Sequence, residues 1–153
     1  LPPGTGDVAI STAQLLPTAE IVVVTTPQAA AADVAVRAGT LAEQTHQKVA
    51  GVIENMSSFP CPHCGEPLDL FGIGGGSLVA ETLTSTLGTE VPLLGQIPFD
   101  VRLREGGDSG SPLVLSEPEA PASQALTAIA ETLGRRPRGL AGMSLGITPA
   151  RRA

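Results

Sequence analysis

Apolar residues in this chain gather into two kinds of stretch that alternate from residue 20 onward: short β-branched runs and longer runs rich in Ala and Leu. The first short run, EIVVVTT (20–26), has the unbroken apolar character of a strand buried on both faces. PQAAAADVAVRAGTLAEQTHQ (27–47) is Ala-rich and long enough for a helix, with Pro27 suited to its first turn. KVAGVIEN (48–55) predicts a second strand. A polar loop then leads to GGGSLVAETLTSTLG (74–88), a predicted helix with Ser77 as its N-cap and Gly88 as its stop. VPLLGQIP (91–98) predicts a third strand, DVRLREGG (100–107) a short helical turn and SPLVLSEP (111–118) an edge strand. APASQALTAIAETLG (120–134) closes the pattern as a helix with Leu126, Ile129, Ala130 and Leu133 on one stripe. Ahead of the first strand, GDVAISTAQLLP (6–17) reads as a helix entered from a turn-rich loop.

Strands that alternate with helices predict βαβ units, an α/β fold and a mostly parallel sheet. Ligands of such sheets sit beyond the carboxyl ends of the strands. Three loops leave those ends: TTPQ after the first strand, ENMSSFPCPHCG after the second and QIPFD after the third. All are polar and punctuated by Pro, and function is expected there.

Length and composition narrow the picture. The 153 residues allow one domain with a real core, and 42% apolar against 16% charged residues place it among globular chains. With three Phe, no Tyr and no Trp, that core must come from Val, Ile, Leu and Ala. The net charge of −6 is unevenly spread: residues 1–134 hold all fifteen acids and four bases, a balance of −11, whereas 135–153 hold five Arg and no acid. So acidic a body argues against non-specific nucleic-acid binding, and the tail reads as a solvated, flexible terminus. No apolar run approaches the ~20 residues that span a bilayer. Two cysteines three positions apart cannot staple a domain of this size, so reactive or metal-binding thiols in a reducing cytosol fit better. The start LPPGTGD, with no initiator Met and no preceding strand, reads as the middle of a longer protein.

Candidate chemistry concentrates in four stretches. CPHC (Cys61–Cys64) offers half of a four-ligand metal site. His63 lies inside the turn and is expected to point away, and His46 falls in a helical segment where a solvated imidazole is the plain reading. A redox dithiol is the competing interpretation, although that motif normally opens a helix. FGIGGGS (71–77) invites comparison with a phosphate loop, yet no Lys follows it, and a tight turn packed near the cysteine loop is preferred. LPPGTGD is a rigid turn that places Asp7 at a helix N-terminus. Asn55, just past a strand end, carries a donor and an acceptor that suit either a turn or a purine edge.

Taken in order, LPPGTGD, TTPQ, GVIENMSSFPCPHCG, FGIGGG and VPLLGQIPFDVRLREGGDSGSP resemble the Mrp-type iron–sulfur cluster carrier ATPases. These are relatives of MinD and ParA among the deviant phosphate-loop NTPases. The resemblance covers roughly residues 1–134 and implies the C-terminal part of a doubly wound P-loop NTPase sheet, leaving 135–153 as a tail. It implies that Cys61 and Cys64 supply two thiolates to a [4Fe–4S] cluster bridged to a second copy of the chain. It implies that Pro2, Pro3, Gly4, Thr5, Gly6 and Asp7 form a switch loop sensing the γ-phosphate. Asn55 is then expected at the adenine, with Pro98, Phe99 and Asp100 lining the base. The implied activity is ATP- and Mg²⁺-dependent cluster delivery to apoproteins in the cytosol, with no nucleic acid and no membrane involved. The Lys-bearing phosphate loop of the family is absent from this sequence, so ATP hydrolysis is expected only of the full-length protein. The missing strands are expected to leave a sheet edge and an apolar face uncovered. Two alternatives accompany this expectation. One is a zinc-bridged dimerisation module. The other is a MinD-like positioning ATPase, disfavoured because the tail lacks an amphipathic stripe.

Overall fold

The computed structural model describes residues 7–61 and 63–135, with residues 7 and 9 given by backbone alone. The opening helical pattern forms α1 (Asp7–Leu15), and the first apolar run forms β1 (Ile21–Thr25). The Ala-rich stretch forms α2 (Ala29–Thr45), which leads into β2 (Val49–Asn55). A small antiparallel hairpin, β3 (Phe59–Pro60) and β4 (Pro67–Leu68), precedes α3 (Gly75–Leu87) and β5 (Leu93–Ile97). Three helices follow: α4 (Val101–Ser109), α5 (Leu113–Ser116) and α6 (Pro121–Gly134).

β1, β2 and β5 form one parallel sheet in that spatial order, so the chain makes two successive crossovers in the same direction. Both place their helices on one face, where α2 and α3 pack on each other and on the sheet. Their apolar sides enclose Val23, Val52, Val79, Leu83 and Val91. The return through α6 covers the other face beside β5, where Ile97, Leu113, Ala122 and Ile129 make a second core. Helices on both faces of a parallel sheet confirm the doubly wound α/β reading. β2 lies between its neighbours and is almost wholly buried, as its apolar run predicts.

Several local expectations are corrected. β1 is buried on one face only: Val22 and Val24 are 36% and 59% exposed. It sits at the edge of the described sheet, and no described helix covers that side, which is the apolar face expected to lie open. SPLVLSEP is not a strand. Pro112 accepts from the N–H groups of Leu115 and Ser116, and the single turn of α5 plunges Leu113 into the α6 core, an anchorage that an edge strand would forgo. Pro27 precedes the α2 N-cap, Gln28, rather than entering the helix. DVRLREGG extends to a nine-residue helix, α4. On α6 the buried stripe runs through Ala122, Leu126, Ile129 and Leu133, with Ala130 turned to solvent because the helix meets β5 on the adjacent ridge.

Leu83 of α3 is fully buried at the centre of the larger core. Leu83→Ala is expected to lower unfolding free energy by about 3 kcal/mol in a denaturant titration. Leu115→Ala, at a side chain 79% exposed, should stay within about 0.5 kcal/mol of the parent protein.

Candidate metal and nucleotide site

All three parallel strands end on the same side of the sheet, and the loops that leave β2 and β5 are bound to each other. Asn55 at the end of β2 is in register with Ile97 at the end of β5. Beyond the strands the pairing continues: Ser57 N–H donates to Ile97 O at 3.0 Å, and Phe99 N–H donates to Ser58 O at 2.7 Å. The 98–100 segment is thereby zipped to the base of the cysteine loop.

That loop is not irregular throughout. Phe59 faces Leu68 and Pro60 faces Pro67 across the β3–β4 hairpin. Two prolines in strands of two residues hid this hairpin from the hydrophobic pattern, since Pro cannot donate to a ladder. The tip is fixed by Cys61 N–H to Glu66 O and by Gly65 N–H to Cys61 O, each 2.8 Å. Cys61 is half-buried and Cys64 exposed, and neither is in a disulfide. The Cys61 thiol is pushed below its ordinary range, chiefly by the backbone N–H of Cys64, then by that of His63 and by the Cys64 thiol, against a small opposing effect of burial. Successive N–H groups converging on one sulfur favour the thiolate, the form that ligates metal. Among the described residues no group of three or more His, Cys, Asp or Glu side chains is arranged to hold a metal ion.

The hairpin rests on an aromatic clasp. Phe99 meets Phe59 edge-to-face at 5.6 Å and 73°, and it meets Phe71 at 6.1 Å and 47°. These are all the aromatic residues in the chain, and each lies in or beside a loop already singled out. Their convergence is a tertiary contact; the sequence signals only that the three rings all fall in these loops.

A second missed residue is Glu54, 1% exposed on β2. One carboxyl oxygen accepts from Gly76 N–H at 2.6 Å in the first turn of α3, and the other accepts from the Gln96 side chain on β5 at 2.7 Å. The helix begins at Gly75 with Gly74 as N-cap at φ 79°, so Ser77 is not the cap; an acceptor from β2 takes that task. Gly75 and Gly76 are explained by proximity. A Cβ on Gly75 would lie 2.5 Å from Thr26 O, and one on Gly76 would lie 2.7 Å from Glu54 Cβ. The glycine run is thus a close-packing device between the β1 and β2 exits.

Of the residues expected at a nucleotide, Asn55 turns its amide oxygen back to Met56 N–H at 2.9 Å, and Met56 takes a left-handed φ of 58° to leave the strand sharply. Asp100 caps α4 through Arg102 N–H and grips the Arg102 guanidinium through both oxygens at 2.9 and 2.7 Å. Arg102 also pairs with Glu117 at the end of α5. The Arg102 side chain holds the Asp100 carboxyl below the usual carboxylate range. Asp7 opens α1, and Pro2, Pro3, Gly4, Thr5 and Gly6 lie outside the described residues. His46 ends α2, exposed, in a left-handed conformation. No helix among the described residues is long and apolar enough to cross a membrane.

A parallel sheet with helices on both faces is a doubly wound α/β arrangement, and solved proteins of the MinD/ParA type share it. MinD from Pyrococcus horikoshii, solved with Mg-ADP, superposes with a TM-score of 0.55 at 26% identity, covering 84% of this chain and 44% of MinD. A nucleotide-binding protein from Archaeoglobus fulgidus, solved with ADP and with Co, matches at 38% identity and a TM-score of 0.53, covering 72% of this chain and 43% of its own. The family model of the NUBPL iron-transfer P-loop NTPases, within ParA, matches residues 1–134, and the chain belongs to that family. The iron-sulfur cluster carrier protein of Mycobacterium tuberculosis is 60% identical over 152 residues, 99% of this chain and 40% of the relative. The chain thus spans about 40% of the length of the curated relatives it matches.

Glu54→Ala would strand a buried helix N–H and is expected to cost about 2–3 kcal/mol of stability, read by denaturant titration. Asp100, its folded pKa being depressed, contributes stability above the unfolded carboxylate pKa that is lost as pH falls through the lower folded value. Asp100→Asn keeps a capping oxygen and loses the ion pair, so it should cost up to about 1 kcal/mol at pH 7, and the gap to the parent protein should close on acidification below pH ~4.

Proposed function

We propose that the chain is the C-terminal portion, residues 1–134 with a tail at 135–153, of a cytosolic iron–sulfur cluster carrier. Cys61 and Cys64 hold a [4Fe–4S] cluster jointly with the same pair from a second copy, and the cluster is passed to apoproteins. The observation that carries this reading is a pair of thiols at a hairpin tip, one held toward thiolate by N–H donors, with no third ligand grouped beside them among the described residues. Four thiolates satisfy a [4Fe–4S] cluster, so two such tips complete one site. Family membership and the iron–sulfur carrier relatives support the same cargo.

ATP with Mg²⁺ binds at the carboxyl ends of the strands in the full-length protein. Asn55 and the Pro98–Asp100 loop contribute to the base side, and the Pro2–Asp7 loop senses the γ-phosphate. The phosphate-gripping Lys comes from outside residues 1–153, and ATP hydrolysis belongs to the whole protein. The residues present fit a supporting role at the base: Asn55 keeps its amide N–H group to offer, and Phe99 and Pro98 supply apolar surface. Asp100 acts there as the anchor of its loop, because its carboxylate is engaged by Arg102.

Anaerobic reconstitution of the full-length protein with iron and sulfide should give a brown species with thiolate-to-iron absorption, with one cluster per two chains. Cys61→Ser and Cys64→Ser should each abolish it. A colourless zinc-containing dimer would identify a structural Cys₄ module instead, and unchanged cluster content in Cys61→Ser would sink the proposal.

A further inference from the structure

The clasp joins two loops to which the proposed function gives different ligands. Phe99 stands in the 98–100 segment, while Phe59 and Phe71 flank the cysteine hairpin on either side of its tip. Pro60 and Cys61 directly follow Phe59, so a shift of that ring moves the ligand turn. The backbone repeats the link: Phe99 N–H is bonded to Ser58 O, one residue before Phe59. The hairpin's own pairing is confined to two residues on each side. So short a ribbon is not independently stable, and its angle to the sheet is set by what it rests on.

We propose that Phe99 is a positioning residue that couples occupancy of the 98–100 loop to the placement of the Cys61–Cys64 turn. A nucleotide base against Pro98 and Phe99 fixes the Phe99 ring, and the two ring contacts carry that constraint to both flanks of the hairpin. With the loop empty, the ring is freer and the thiol turn moves with it. The proposal rests on the nucleotide reading above, but its readout needs no cluster.

The test uses the metal-free full-length protein and follows the rate at which iodoacetamide labels the cysteine pair, with and without saturating ATP–Mg²⁺. In the parent protein ATP should slow labelling by about fivefold or more, the lower end of ordinary coupling between sites. Phe59→Leu combined with Phe71→Leu loosens the clasp from the hairpin side and leaves the 98–100 loop intact. In that variant the ATP effect should fall below about twofold while ATP affinity stays within about twofold of the parent. Phe99→Leu should give the same uncoupling at saturating ATP, and it decides the matter if circular dichroism shows that the double variant is unfolded. A full ATP effect in these variants, or none in the parent protein, overturns the proposal. Failure to assemble a cluster would instead count against the carrier function and leave this readout standing.

Discussion

The hydrogen bonds of Glu54 hold the functional end of the molecule together. Its carboxyl group sits on the central strand, where the chain is about to leave the sheet, and binds the N–H of Gly76, where the chain comes back as α3. Everything between, including the cysteine hairpin and two of the three phenylalanines, is an excursion whose two ends are fastened by that one side chain. The second oxygen ties the same point to Gln96 on β5, so the third strand is brought into the closure. A buried carboxyl group is expensive unless fully bonded, and here a helix N-terminus supplies a donor that the helix itself leaves unused. The glycines at 75 and 76 are the complement of this arrangement: they let the helix end come near enough for the bond to form.

Around that closure the loops have separate duties. The glycine-rich segment resembles a phosphate loop in composition but serves contact between backbones. Asp100 resembles a ligand-loop acid, yet it organises α4 and, through Arg102, reaches α5. Asn55 shapes the sharp exit at Met56. At the cysteine turn Cys64 is exposed and Cys61 half-buried, and N–H donors favour a charge on the Cys61 sulfur.

Hydrophobic spacing revealed the strands, the major helices and the parallel arrangement, because those follow from period and from burial. It failed where tertiary contacts decided. Leu113 made a helical turn of a stretch with strand-like composition, since burying that side chain against α6 outweighs pairing at an edge. Ser77 has the chemistry of a cap but lost the position to Glu54, a residue distant in sequence. The hairpin was hidden by its prolines. Cys61 and Cys64 stood out as candidates at once, for C-x-x-C spacing is local; the ring cluster did not, because it unites residues 59, 71 and 99 across two loops. The open face of β1 at Val22 and Val24 shows the converse, a strand written for burial on both sides whose second cover is not among the described residues.

The placement of the aromatic rings has an optical consequence. This chain contains no Trp and no Tyr, and its three Phe side chains all lie in one asymmetric cluster beneath the thiol turn. Its near-ultraviolet dichroism therefore arises from that cluster alone, with no background from the core. The vibrational fine structure of phenylalanine in this segment is a native reporter of whether the hairpin is seated, and it leaves the visible region clear for any chromophore held at the tip.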